Sequence, residues 1–61
     1  MTDTTPVVGD EWEFPDFTIR ITSVDETAVE YAFAHNQKAR VLVYAQQWHD
    51  WLRNAKARKV T

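Results

Sequence analysis

Sixty-one residues allow one domain, and a chain of this length buries only about 60% of the surface its unfolded form exposes. There is no cysteine, which excludes disulfides and thiolate metal sites as staples, so stability has to come from packing or from a partner. Net charge is −2 but unevenly spread: residues 1–30 hold eight acids against Arg20, and residues 31–61 hold six bases against Asp50. Such a split can mark a partner surface. The plainer expectation is that the two ends of the chain lie side by side and neutralise each other.

The polar opening Met1-Thr2-Asp3-Thr4-Thr5 has no apolar stretch of the kind found in a signal peptide, and no run approaches the roughly 20 apolar residues of a membrane span. With the absence of cysteine, this predicts a cytoplasmic protein. Residues 1–6 read as a flexible lead ending at Pro6, followed by a single β-rich domain over 7–61.

Val7 to Phe14 reads as a first strand. Val8, Trp12 and Phe14 share one parity, Glu11 and Glu13 take the other, and Gly9 marks a bend. Pro15-Asp16 ends it. Phe17 to Val24 alternates cleanly through Ile19 and Ile21, and Val24 falls out of phase, which predicts a bend or bulge near Ser23. Asp25-Glu26-Thr27 is a hairpin turn into a third strand, Ala28 to Ala34, with Val29, Tyr31 and Phe33 inward. After the polar connection 35–38, Arg40 to Tyr44 is apolar on both parities, a pattern that predicts cover on both faces.

The period then changes. Trp48, Trp51, Leu52 and Ala55 follow helical spacing and predict an amphipathic helix over about 45–56. No Ser, Thr, Asp or Asn caps its start, so packing must hold it. Arg58 to Thr61 reads as a short last strand with Val60 inward, the alternative being a frayed helix end. The expected fold is mainly β (α+β): a small antiparallel barrel or curled sheet of four to five strands, with one helix between strand four and the last strand.

Chemistry-bearing patterns are sparse. His49-Asp50 is the one dipeptide of metal-hydrolase type, but a site needs further ligands and only His35 remains, so both are expected as helix-surface residues. Glu11 and Glu13 could pair as carboxylates on a strand face, but acid–base work also needs a pocket. One glycine cannot build a phosphate loop. No catalytic residue, metal or cofactor is assigned, and an enzyme is not expected.

The remaining candidates are surfaces. Three Trp, three Phe and two Tyr exceed what a small sheet easily hides, and an exposed Trp is a good interface anchor. The candidate partner surface is therefore Glu11, Trp12, Glu13, Asp16, Trp48 and Trp51. A second candidate is a basic edge of Arg53, Lys56, Arg58 and Lys59 for nucleic acid, against which stands a pI near 5.5. The same marginal burial and aromatic excess also point to a homodimer.

The order of elements, with Val8-Gly9-Asp10-Glu11-Trp12 opening the first strand, resembles small SH3-like barrels. More narrowly, Ile19-Arg20-Ile21-Thr22-Ser23-Val24 before a hairpin, and Gln47-Trp48-His49-Asp50-Trp51-Leu52 before the last strand, are similar to short SH3-like proteins of bacteriophages and prophages. The likeness covers about residues 7–61. A long helix replaces the single 3₁₀ turn of a plain barrel, so no peptide-groove residues carry over. It implies a protein–protein interaction module, a phage or mobile-element accessory protein that binds and modulates a host protein. The alternatives are a nucleic-acid-binding barrel using the basic edge, or an acidic mimic of nucleic acid using the acidic half.

Overall fold

The computed structural model describes residues 4–60; the first half of the expected lead, residues 1–3, and Thr61 lie outside them. The elements are β1 (Glu11–Glu13), β2 (Thr18–Val24), β3 (Ala28–Phe33), β4 (Asn36–Tyr44), α1 (Ala45–Ala55) and β5 (Arg58–Lys59). They form one antiparallel sheet in the order β4-β3-β2-β1-β5 with the helix on one face. β4 and β5 are its two ends and do not pair, so the sheet stays open. Of the two expected forms, barrel or curled sheet, the closed barrel is not the one formed.

β1 is shorter than its alternation predicts because Val7–Asp10 is a turn. Gly9 sits at φ 94, the Asp10 N–H donates to the Val7 carbonyl at 3.0 Å, and Val8 is exposed rather than sharing the core with Trp12. In β2 the register shifts between Ile21 and Ser23, as the phase break predicts. The extra residue is Thr22, whose hydroxyl donates to Glu30 Oε1 at 2.8 Å. One inserted residue reverses parity, so Val24 comes opposite Val29, where it stays 39% exposed at the end of the strand. β4 begins earlier than expected, since the polar stretch from Asn36 is strand, with a register shift opposite Ala32 and Phe33.

The inward residues Trp12, Ile19, Ile21, Val29 and Tyr31 meet Trp48 and Leu52 of the helix, and Phe14 joins from the end of β1. Trp12 and Trp48 cross edge to face with centroids 6.1 Å apart. Phe14 lies against Phe17 at 4.8 Å and Trp51 at 4.5 Å, and Trp51 also stacks on Tyr31 at 5.2 Å. Continuous ring packing is how so short a chain builds a core, since each aromatic buries roughly 150–250 Å².

The helix has no side-chain N-cap. It is anchored instead by Trp48, whose indole N–H donates to the Thr4 carbonyl at 2.7 Å, and by its C-terminus. There Lys56 adopts the left-handed conformation at φ 57, its N–H reaches the Arg53 carbonyl and the Ala57 N–H reaches the Leu52 carbonyl. This Schellman-type closure turns the chain back into β5. Val60, expected inward, is about half exposed, because β5 ends at Lys59. Among the described residues no helix is long and apolar enough to cross a membrane.

Candidate interaction surface

The two faces of the sheet are unequal. Alternation sends Val41 and Val43 of β4 to the helix side, where they pack on the core, and sends Arg40, Leu42 and Tyr44 to the other. The expected cover on both faces of this strand is therefore absent. Leu42 is 66% exposed and Tyr44 65%, the highest values among the large apolar side chains. The physical reason is supply: the described residues form one helix, one helix can cover one face, and the core claims it.

Around these two residues the surface is shallowly hollowed. Ala28, Leu42, Val43 and Tyr44 line a depression of about 200 Å³. On the other side of Tyr44, Glu26, Thr27, Ala45 and Gln46 complete one of about 420 Å³. Next to Leu42 across the ladder is half-buried Glu30, which lies 3.7 Å from the exposed Arg40 in an ion pair. The surface is thus an apolar pair, Leu42 and Tyr44, with a charged pair at one flank.

The residues proposed from sequence as a partner surface are dispersed by the fold. Trp12 and Trp48 are sealed in the core, at 1% and 0% exposure, and Trp51 is half-buried, so the aromatic surplus goes into packing. Asp16 is exposed, Glu13 is exposed and Glu11 is half-buried. Glu13 accepts a hydrogen bond from the Arg58 guanidinium at 3.0 Å, and Asp10 Oδ2 lies 3.4 Å from Lys59 Nζ in an ion pair without hydrogen-bond geometry. β5 beside β1 therefore joins the acidic half to the basic half, as the plainer reading of the charge split expected. Two of the four residues of the basic edge are engaged in this way, while Arg53 and Lys56 stay exposed on and just after the helix.

Two further hollows of about 400 Å³ flank the helix. One is lined by Glu13, Phe14, Pro15, Phe17, Thr18, Lys56 and Arg58. The other is lined by Thr4, Trp12, His49, Leu52, Arg53 and Ala57. At the second, the Thr4 hydroxyl and His49 Nδ1 are hydrogen-bonded and Trp12 Nε1 is buried without an acceptor. His49 and Asp50 are exposed on the helix, and among the described residues no group of three or more His, Cys, Asp or Glu is placed to hold a metal ion. Burial raises the hydroxyl pKa of Tyr31 above its ordinary 10.0.

Leu42 and Tyr44 are the surface residues that sequence reasoning passed over. Their signal was present: a strand apolar on both parities in a chain with only one element left to cover it. No family model matches the chain, and no curated protein or solved structure matches it either.

Proposed function

We propose that this chain is a non-enzymatic protein–protein interaction module that engages its partner through Leu42 and Tyr44 on the outer face of β4. One observation carries the reading. In a chain that sinks nearly every aromatic ring into its core, these two large side chains remain about two-thirds exposed and adjacent on one face. Contiguous apolar surface rimmed by polar groups is the ordinary mark of an interaction site. The partner's contacting surface would be apolar at its centre, to cover Leu42 and Tyr44, with polar groups meeting Arg40 and Glu30. The setting we propose is the one implied by the likeness to phage proteins, an accessory protein acting on a host protein.

The engagement of Arg58 and Lys59 with Glu13 and Asp10 weighs against the nucleic-acid reading, since paired bases have less to offer a phosphate backbone. The test is a photo-crosslinker at position 44 to recover the partner, followed by direct titration of the purified pair. Leu42→Lys with Tyr44→Lys should weaken binding by roughly tenfold or more, which corresponds to about 1.4 kcal/mol. Arg53→Ala with Lys56→Ala should leave it unchanged. The reverse pattern, or salt-sensitive binding of generic DNA or RNA that needs Arg53 and Lys56, would sink the proposal.

A further inference from the structure

β4 is an edge strand, and its hydrogen-bonding parity shows what the free side presents. The Ala45 N–H donates to the Thr27 carbonyl at 2.9 Å, one step beyond the Ala28–Tyr44 pair. Thr27–Ala45 is thus a hydrogen-bonded pair, and alternation makes Val29–Val43 and Tyr31–Val41 hydrogen-bonded too. The intervening pairs, Ala28–Tyr44, Glu30–Leu42 and Ala32–Arg40, are of the non-bonded kind. Two bonds on the far side of β3 agree: the Asp25 N–H reaches the Ala28 carbonyl at 2.9 Å, so Ala28 spends its carbonyl on β2. The Ala34 N–H likewise reaches the Thr18 carbonyl at 2.8 Å, which turns Ala32 the same way. The N–H and C=O groups of Arg40 and Leu42 and the N–H of Tyr44 therefore point out along the open edge, while the Tyr44 carbonyl, at the N-cap, opens α1.

Exposed edges are usually blunted by charge, proline, bulges or brevity. The opposite edge obeys this, since β5 is two residues long and both are basic. The early part of β4 obeys it too, with Lys38 and Arg40 and the register shift beyond Ala32. From Val41 to Tyr44 no such device exists.

We propose that this stretch pairs antiparallel with the same stretch of a second copy, about a twofold axis through Leu42. The proposal rests on the interaction reading above and names one occupant of the edge beside that surface. Its support is self-complementarity of register. Pairing Leu42 with Leu42 sets Arg40 opposite Tyr44 of the second copy, and all three are the residues whose backbone groups point outward. The Leu42 pair can then exchange both N–H···O bonds, and each Arg40–Tyr44 pair the bond from the Tyr44 N–H to the Arg40 carbonyl. No like charges face each other, the guanidinium of Arg40 meets an aromatic ring, and the pairing ends where α1 begins and where the register shift begins. A register centred on Arg40 would set arginine against arginine. One centred on Val41 would draw Lys38 from the irregular part of the strand. The chosen register also brings Leu42 and Tyr44 of both copies onto one continuous outer face, because directly opposed residues project from the same side of a sheet.

The test is sedimentation of the full chain across the micromolar range, with oxidation of single-cysteine variants to fix the register. The wild-type mass should double. Leu42→Lys, which sets two ammonium groups face to face, should raise the concentration for half-association by roughly tenfold or more, whereas Val60→Lys at the other edge should not. Cα atoms in a hydrogen-bonded pair lie about 5.5 Å apart, within disulfide reach. Leu42→Cys should therefore oxidise to a covalent dimer, and Arg40→Cys should crosslink to Tyr44→Cys in a mixture rather than to itself. A wild-type chain that stays monomeric, or a dimer indifferent to Leu42→Lys, overturns the proposal. A monomer that still loses a foreign partner on charging Leu42 and Tyr44 sinks self-pairing alone and leaves the interaction module standing.

Discussion

Trp12 and Trp48 meet edge to face at 6.1 Å, yet only the indole N–H of Trp48 has an acceptor, the Thr4 carbonyl at 2.7 Å. The two rings are equally buried but differ in polar satisfaction, and an unpaired buried donor costs about 1–3 kcal/mol.

The consequence is a difference between otherwise identical substitutions. Either Trp→Ala change should cost about 3–5 kcal/mol, enough to unfold much of the population of so small a domain. Trp→Phe should separate them. At position 48 it breaks a hydrogen bond, whereas at position 12 it also removes the unpaired donor, so Trp12→Phe should retain more stability than Trp48→Phe. Urea unfolding followed by far-UV circular dichroism measures both. Equal losses would show that the Thr4 contact contributes nothing.

A second prediction concerns the two residues with positive φ, Gly9 at 94 and Lys56 at 57. A Cβ at Gly9 would meet nothing within 4 Å, so Gly9→Ala is penalised by backbone conformation alone, by about 1–2 kcal/mol. Lys56 already bears that strain at the end of the helix, where glycine is the favoured residue. Lys56→Gly should therefore stabilise, by up to about 1 kcal/mol, despite the greater freedom it gives the unfolded chain. Thermal unfolding should show Tm moving down for the first and up for the second.

The third prediction is an alkaline limit set by Tyr31. Its hydroxyl pKa is raised by burial, so the folded state holds the proton more tightly than the unfolded state does. The linkage makes this contribution fully present below the ordinary value of 10.0, and progressively lost as pH rises from there through the folded value. Tyr31→Phe should flatten that part of the decline. Parallel urea titrations from pH 8 to 11, about the range over which a tyrosine titrates, would show it as a smaller slope in the variant. An unchanged slope would place the alkaline loss elsewhere.

Much of the architecture was written in local pattern. The period-two runs through Ile19–Ile21 and Val29–Phe33 mark strands because alternate side chains must reach one buried layer. The Trp48-Trp51-Leu52-Ala55 stripe marks a helix for the matching reason at period 3.6. Even the bulge at Thr22 was visible, as the phase break before Val24. These features follow from neighbours in the chain, and the residues carry them wherever the elements are placed.

Placement was decided by tertiary structure. Whether Trp12 and Trp48 anchor a partner or a core depends on their meeting each other across the fold, which no spacing encodes. Charge is similar: the acidic and basic halves became ion pairs once β5 lay beside β1. The interaction surface is the clearest case. Val41 to Tyr44 reads as apolar on both sides, and only the assembled sheet shows that the single helix covers Val41 and Val43. Leu42 and Tyr44 stay in water on an open edge because the one helix among the described residues covers the other face.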